Sequence, residues 1–125
     1  MIVELVEFTH PPGSTRAAID EGARATLPHW RANPDLLRKH YLLGTDGQTG
    51  AGVYFWPSVE AAQRAHDAAW IAQAEQRTGM PVRIRRFELL MTLDNETGTL
   101  TEGAALRGNT VSLKPAHKQD QTFDV

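Results

Sequence analysis

The chain has 125 residues, 41% hydrophobic and 22% charged, which suits one ordinary globular domain. Its 13 basic and 15 acidic residues give a net charge of −2, which argues against a general nucleic-acid binder. The absence of cysteine excludes a disulfide framework, a thiolate metal site and a cysteine nucleophile, and no signal-like segment or run near the roughly 20 apolar residues of a membrane span is visible, so a cytoplasmic protein is expected.

Ile2 to Phe8 reads IVELVEF, a strand stopped by Pro11, Pro12 and Gly13. Ser14 or Thr15 can cap a helix in which Ile19, Ala23, Thr26, Leu27 and Trp30 recur at helical spacing. Pro28 should kink or end it. Leu36 to Leu43 is a second strand and Ala51 to Trp56 a third, joined through a turn at Asp46-Gly47. Ser58 is an N-cap for a helix from about Val59 to Gln76, with Ala62, Ala65, His66, Ala69, Trp70 and Gln73 on one stripe. Thr78-Gly79 ends it, Pro81 follows, and Val82 to Leu93 is the fourth strand. The pairs Arg38-Lys39 and Arg85-Arg86 read as solvated strand edges. Residues 95–125 form a polar extension, with a short strand at Val111-Ser112-Leu113.

This order is β-α-β-β-α-β, a ferredoxin-like α+β domain over residues 1–94. Right-handed crossovers put the first and third strands in the centre of a four-stranded antiparallel sheet, with both helices on one face. Both faces carry large apolar side chains. Four strands about 4.8 Å apart and about 7 residues long give a face of roughly 400 Å². At about 25 cal/mol per Å², covering it contributes on the order of 10 kcal/mol. A second copy packed sheet to sheet is the simplest cover, and the extension folding across the face is the alternative.

Three stretches carry a family resemblance: Leu36-Leu37-Arg38-Lys39-His40-Tyr41-Leu42; Gly52-Val53-Tyr54-Phe55-Trp56 leading into Ser58-Val59-Glu60-Ala61-Ala62; and Trp70 followed by Thr78-Gly79, Pro81 and Phe87-Glu88. In these the chain resembles the dimeric α+β barrel superfamily, above all the antibiotic-biosynthesis-monooxygenase-like and YdhR-like proteins. The resemblance spans roughly residues 1–94. It implies a homodimer and a small-molecule pocket between sheet and helices. The superfamily also includes haem-degrading enzymes, but their histidine, asparagine and tryptophan trio does not map here, so no cofactor or metal is expected. The resemblance also implies a cofactor-independent monooxygenase acting on a small aromatic or quinol-like substrate. The alternatives it leaves open are a non-catalytic ligand-binding or stress-response dimer and an isomerase or lyase. Typical members end soon after the fourth strand, so the extension departs from the pattern; an arm reaching the partner subunit is one role for it.

On that footing His66, Tyr41 and Arg86 are the expected catalytic residues: a general base and two hydrogen-bond donors. Trp70, His40, Tyr54, Trp30 and Phe87 are the expected substrate-binding residues, with Trp70 stacking on a planar ligand. The bland alternative makes Trp70 core and His66 the edge of its stripe. His40 and Tyr41 are neighbours on a strand, so only one can face the pocket. Arg86 and Glu88 could pair with each other or hold a polar group. The five histidines, His10, His29, His40, His66 and His117, show no HxH or HxxxH spacing.

Overall fold

The computed structural model describes residues 1–103 and 110–113. His117 and the rest of the extension lie outside them. The chain divides into two compact units, Met1–Glu88 and Leu89–Val125.

In the first unit, β1 (Ile2–Thr9), β2 (Arg38–Leu43), β3 (Thr49–Trp56) and β4 (Arg83–Glu88) form one antiparallel sheet in the order β2-β3-β1-β4. The central pair is the expected first and third strands. Helix α1 (Arg16–Ala25) starts where the Thr15 side chain accepts the Ala18 N–H. It stops before α2 (Leu27–Arg31), whose first turn holds Pro28. Proline lacks an amide hydrogen, so it fits a helix start and breaks a helix interior.

The second long helix is not continuous. Helix α3 (Val59–Ala65) ends at His66, whose φ of −117° and ψ of 61° leave the helical region. Asp67 then caps a fresh helix, α4 (Ala68–Thr78), accepting the Trp70 N–H at 2.8 Å. An aspartate that caps the following turn competes with the helix ladder, and here it wins. The expectation of one stripe through His66 and Trp70 is therefore corrected. Gly79 closes α4 at a φ of 69°, where glycine carries no steric penalty.

The fourth strand also ends earlier than its sequence suggests, at Glu88 rather than Leu93. Met91–Asp94 instead forms β5 of a separate three-stranded sheet with β6 (Thr99–Glu102) and β7 (Thr110–Ser112). The Asp94 carboxylate accepts the amides of Glu96 and Thr97, which folds the chain back between β5 and β6.

Register sorts the side chains of the main sheet. Lys39, Tyr54, Glu4 and Arg86 form one cross-strand row, and Tyr41, Gly52, Val6 and Ile84 the next on the same face. This face carries the core, where Val6, Tyr54 and Trp56 pack with Trp30 of α2 and Ala61 and Ala62 of α3. The opposite face shows the rows Arg38, Phe55, Val3, Phe87 and His40, Val53, Leu5, Arg85. It is apolar in the middle, and Phe87 is 50% exposed. Among the described residues no helix is long and apolar enough to cross a membrane.

Candidate functional site

The core face holds a buried carboxylate. Glu4 has no exposed surface, although its strand neighbours on that face are Ile2 and Val6. Burying an unpaired carboxylate is very costly. Glu4 offsets that cost with three donors. His66 Nδ1 lies 2.7 Å from Oε1, Trp56 Nε1 donates to the same oxygen at 2.9 Å, and Arg86 Nε donates to Oε2 at 2.8 Å. Burial alone would raise the Glu4 carboxyl; the bonds and charge it gains from His66, with those from Trp56 and Arg86, outweigh it and hold the group below its ordinary value. Glu4 is thus an anion behind the imidazole.

That arrangement fixes the histidine. In the neutral form of the ring, a carboxylate on Nδ1 keeps the proton on Nδ1 and leaves the lone pair at Nε2. The His66 side chain is fully buried, and Nε2 has no hydrogen-bond partner among the described residues. Aromatic rings surround it: Trp70 at 4.4 Å between centroids, Tyr54 at 4.6 Å, Trp30 at 5.2 Å and Trp56 at 6.2 Å. The break at Asp67 brings Trp70 onto the imidazole even though the two no longer share a helix.

Beside this box lies an open cleft of about 1230 Å³ between sheet and helices. Trp30, Tyr54 and Trp70 line it, and each also packs on His66, so the three rings form the wall between imidazole and cleft. Tyr41 lines it too, its hydroxyl 2.9 Å from Thr26 Oγ1. Burial first, then the Glu4 charge, pushes the Tyr54 phenol far above its ordinary value, so Tyr54 remains an O–H. Gly52 of β3 lines the cleft. A Cβ on Gly52 would sit 2.8 Å from Tyr54 Cε1. Gly52→Ala is expected to displace the Tyr54 ring and cost about 1–3 kcal/mol. A thermal melt checks this; an unchanged midpoint would show that the ring yields freely.

The structure therefore brings His66, Arg86, Trp30, Tyr54, Trp70 and Tyr41 to one face. Arg86 pairs with Glu4 across the strands, not with Glu88. His40 and Phe87 are placed on the opposite face, because alternation along β2 and β4 turns them away from the cleft. Two residues were missed in the sequence. Glu4 is the charged position between Ile2 and Val6 on a strand face that is otherwise apolar, and that parity was its signal. Lys39, read as a solvated edge, is half-buried on the cleft side. Among the described residues no cluster of three His, Asp or Glu side chains is arranged to hold a metal ion.

No family model and no curated protein matches the chain. Solved structures do. SnoaB, a cofactor-independent oxygenase from Streptomyces nogalater solved as a point mutant, matches with a TM-score of 0.56 and 17% identity over 75% of this chain and 97% of that one. A candidate antibiotic biosynthesis monooxygenase from Deinococcus radiodurans matches at 0.55 and 11%, over 70% and 91%. Rv0793 from Mycobacterium tuberculosis matches at 0.51 and 15%, over 70% and 93%. The chain shares the ferredoxin-like α+β fold of these structures. Identities this low carry the fold and nothing finer, so the chemistry rests on the side chains themselves.

Proposed function

We propose that this protein is a cofactor-independent monooxygenase that works as a homodimer on a small aromatic or quinol-like substrate. The observation that carries this reading is the buried Glu4–His66 pair, with Nδ1 held at 2.7 Å and Nε2, unpartnered among the described residues, behind a wall of aromatic rings beside a cleft. SnoaB, described as a cofactor-independent oxygenase, supports it from a similar fold.

The chemistry follows from the arrangement. Nε2 takes a proton from an acidic O–H or C–H of the substrate, and Glu4 stabilises the imidazolium that forms. The electron-rich substrate anion then reduces O₂ directly. For an anthrone-type substrate, one oxygen atom becomes the new ring carbonyl. The other leaves as water with the two hydrogens of that carbon. Arg86 and Trp56 act through Glu4 and are positioning residues. Trp70 is the least buried ring of the wall, and this reading requires it to move aside for a substrate to reach Nε2.

Oxygen uptake with a panel of quinols and anthrones tests the proposal. Turnover is expected with the wild type, and a loss of about 100-fold or more in His66→Ala. One observation favours a second reading, a non-catalytic ligand-binding dimer: His66 is sealed from the cleft by its aromatic neighbours. Calorimetric binding of panel members without oxygen uptake would select that reading.

A further inference from the structure

The aromatic box has a polar occupant that the proposed oxygenation does not use. Lys39 extends from β2 onto the cleft side of the sheet. Its Nζ lies 3.9 Å from the centroid of the Tyr41 ring, 4.7 Å from that of Trp30 and 4.7 Å from that of Tyr54. Among the described residues it has no ion pair and no hydrogen bond. The nearest row partners across the sheet do not help: Tyr54 is neutral, and the Glu4 carboxylate is already committed to His66, Trp56 and Arg86. An amine in this position is not serving structure in the way an ion-paired lysine does. It also opens onto a cleft large enough for an aromatic ligand.

We propose that Lys39 is a covalent capture site for an aromatic aldehyde or ketone, which it holds as an imine. The three ring faces favour the ammonium, while loss of water around the amine disfavours it. Burial dominates and brings Lys39 down to about 7. Close to half of the population is then free amine at neutral pH, whereas an ordinary lysine has roughly one free amine in 2500. The walls that strip water from the amine also supply flat apolar surfaces against which an aromatic carbonyl compound can stack.

The reaction balances without an oxidant or reductant. The nitrogen lone pair attacks the carbonyl carbon, forming the C–N bond. The C=O π pair moves to oxygen, which takes up the proton released by nitrogen. The carbinolamine then expels its oxygen as water, nitrogen loses its second proton to that departing group, and C=N remains. The step is reversible, so a carbonyl ligand is retained in the cleft and released by hydrolysis. This site is independent of the oxygenation reading, because it requires neither His66 nor O₂.

The chain has only three lysines, Lys39, Lys114 and Lys118, which makes the test a comparison within one molecule. The full chain is incubated with 2-naphthaldehyde and cyanoborohydride, which reduces any imine to a stable amine, and each lysine peptide is followed by mass spectrometry. The larger free-amine fraction is offset by the lower basicity of the amine. With the Brønsted slope known for thiolates, Lys39 should label roughly 30-fold or more faster than the other two at pH 7. Its rate should level off above about pH 8, while theirs keep rising toward pH 10. Lys39→Met should abolish the fast phase; should that variant not fold, the wild-type peptide map still decides. Labelling of Lys39 no faster than Lys114 and Lys118, or with the same pH profile, overturns the proposal.

Discussion

Glu4→Gln should lower oxygen-dependent turnover by about 10²- to 10⁴-fold and destabilise the fold by about 3 kcal/mol. The substitution preserves shape, removes the negative charge and exchanges one acceptor for a donor. In the wild type both carboxylate oxygens accept, Oε1 from His66 and Trp56 and Oε2 from Arg86. A glutamine has one carbonyl oxygen and one NH₂ group. If the carbonyl faces His66 and Trp56, the NH₂ meets the Arg86 donor. If the amide flips, NH₂ meets the Trp56 donor, and His66 can satisfy it only by moving its proton from Nδ1 to Nε2. The first outcome strands the part-buried Arg86 donor and the second abolishes the base. For a folded unit of this size, 3 kcal/mol corresponds to a drop of roughly 15 °C in the thermal midpoint.

The same substitution has a pH signature with a definite sign. The Glu4 carboxyl is held below its ordinary value of 4.5 in the fold; burial opposes this, and the bonds from His66, Trp56 and Arg86 overcome it. A group depressed on folding contributes stability above its unfolded value and loses it as pH falls through the folded one. The wild type should therefore lose midpoint steeply on acidification below about 4.5, and the gap to Glu4→Gln should narrow there. Equal midpoints at pH 7, or a gap that stays constant to pH 3, would show that the Glu4 carboxyl is not depressed in the fold.

What the sequence disclosed follows from which forces act locally. The β-α-β-β-α-β order, the cap at Ser58, the αL glycine at 79 and the Asp46-Gly47 hairpin are all written in adjacent residues, and all are present. The break at His66–Asp67 was less visible, because alanines and a tryptophan kept the helical period running through it. Glu4 was hidden for a different reason. Its three partners are 52, 62 and 82 positions away, and nothing near Glu4 announces them. Lys39 was misread because a basic pair on a strand is usually solvated, and only the register with Tyr54 and the placement of Trp30 show that one of the two is desolvated. Parity was the missing quantity throughout. Once β1 is known to turn Glu4 and Val6 to the helices, His40 and Phe87 fall on the other side and Tyr41 and Lys39 on the cleft side.

That outer side yields the second large effect. Under the homodimer reading, Val3, Leu5, Val53 and Phe55 of two copies pack face to face, and Val53 lies near the middle of each patch, flanked in its row by His40 and Leu5. Val53→Lys buries one ammonium per subunit in that contact. An aspartate would be the weaker probe, because Arg38 and Arg85 stand on the same face and could neutralise it. Among the described residues a lysine finds only Glu7 on this face, and Glu7 already accepts from Arg85 at 3.1 Å. Burying an unpaired charge costs several kcal/mol, and the cost enters once per subunit, so the dimer should weaken by at least about 10³-fold. Within each subunit the substituted position is only partly buried, so the fold itself should survive. Light scattering should give about twice 13.8 kDa for the wild type at micromolar concentration and 13.8 kDa for Val53→Lys, with unchanged far-UV circular dichroism. A wild-type monomer, or a Val53→Lys dimer, would assign the apolar face to a cover other than a second copy.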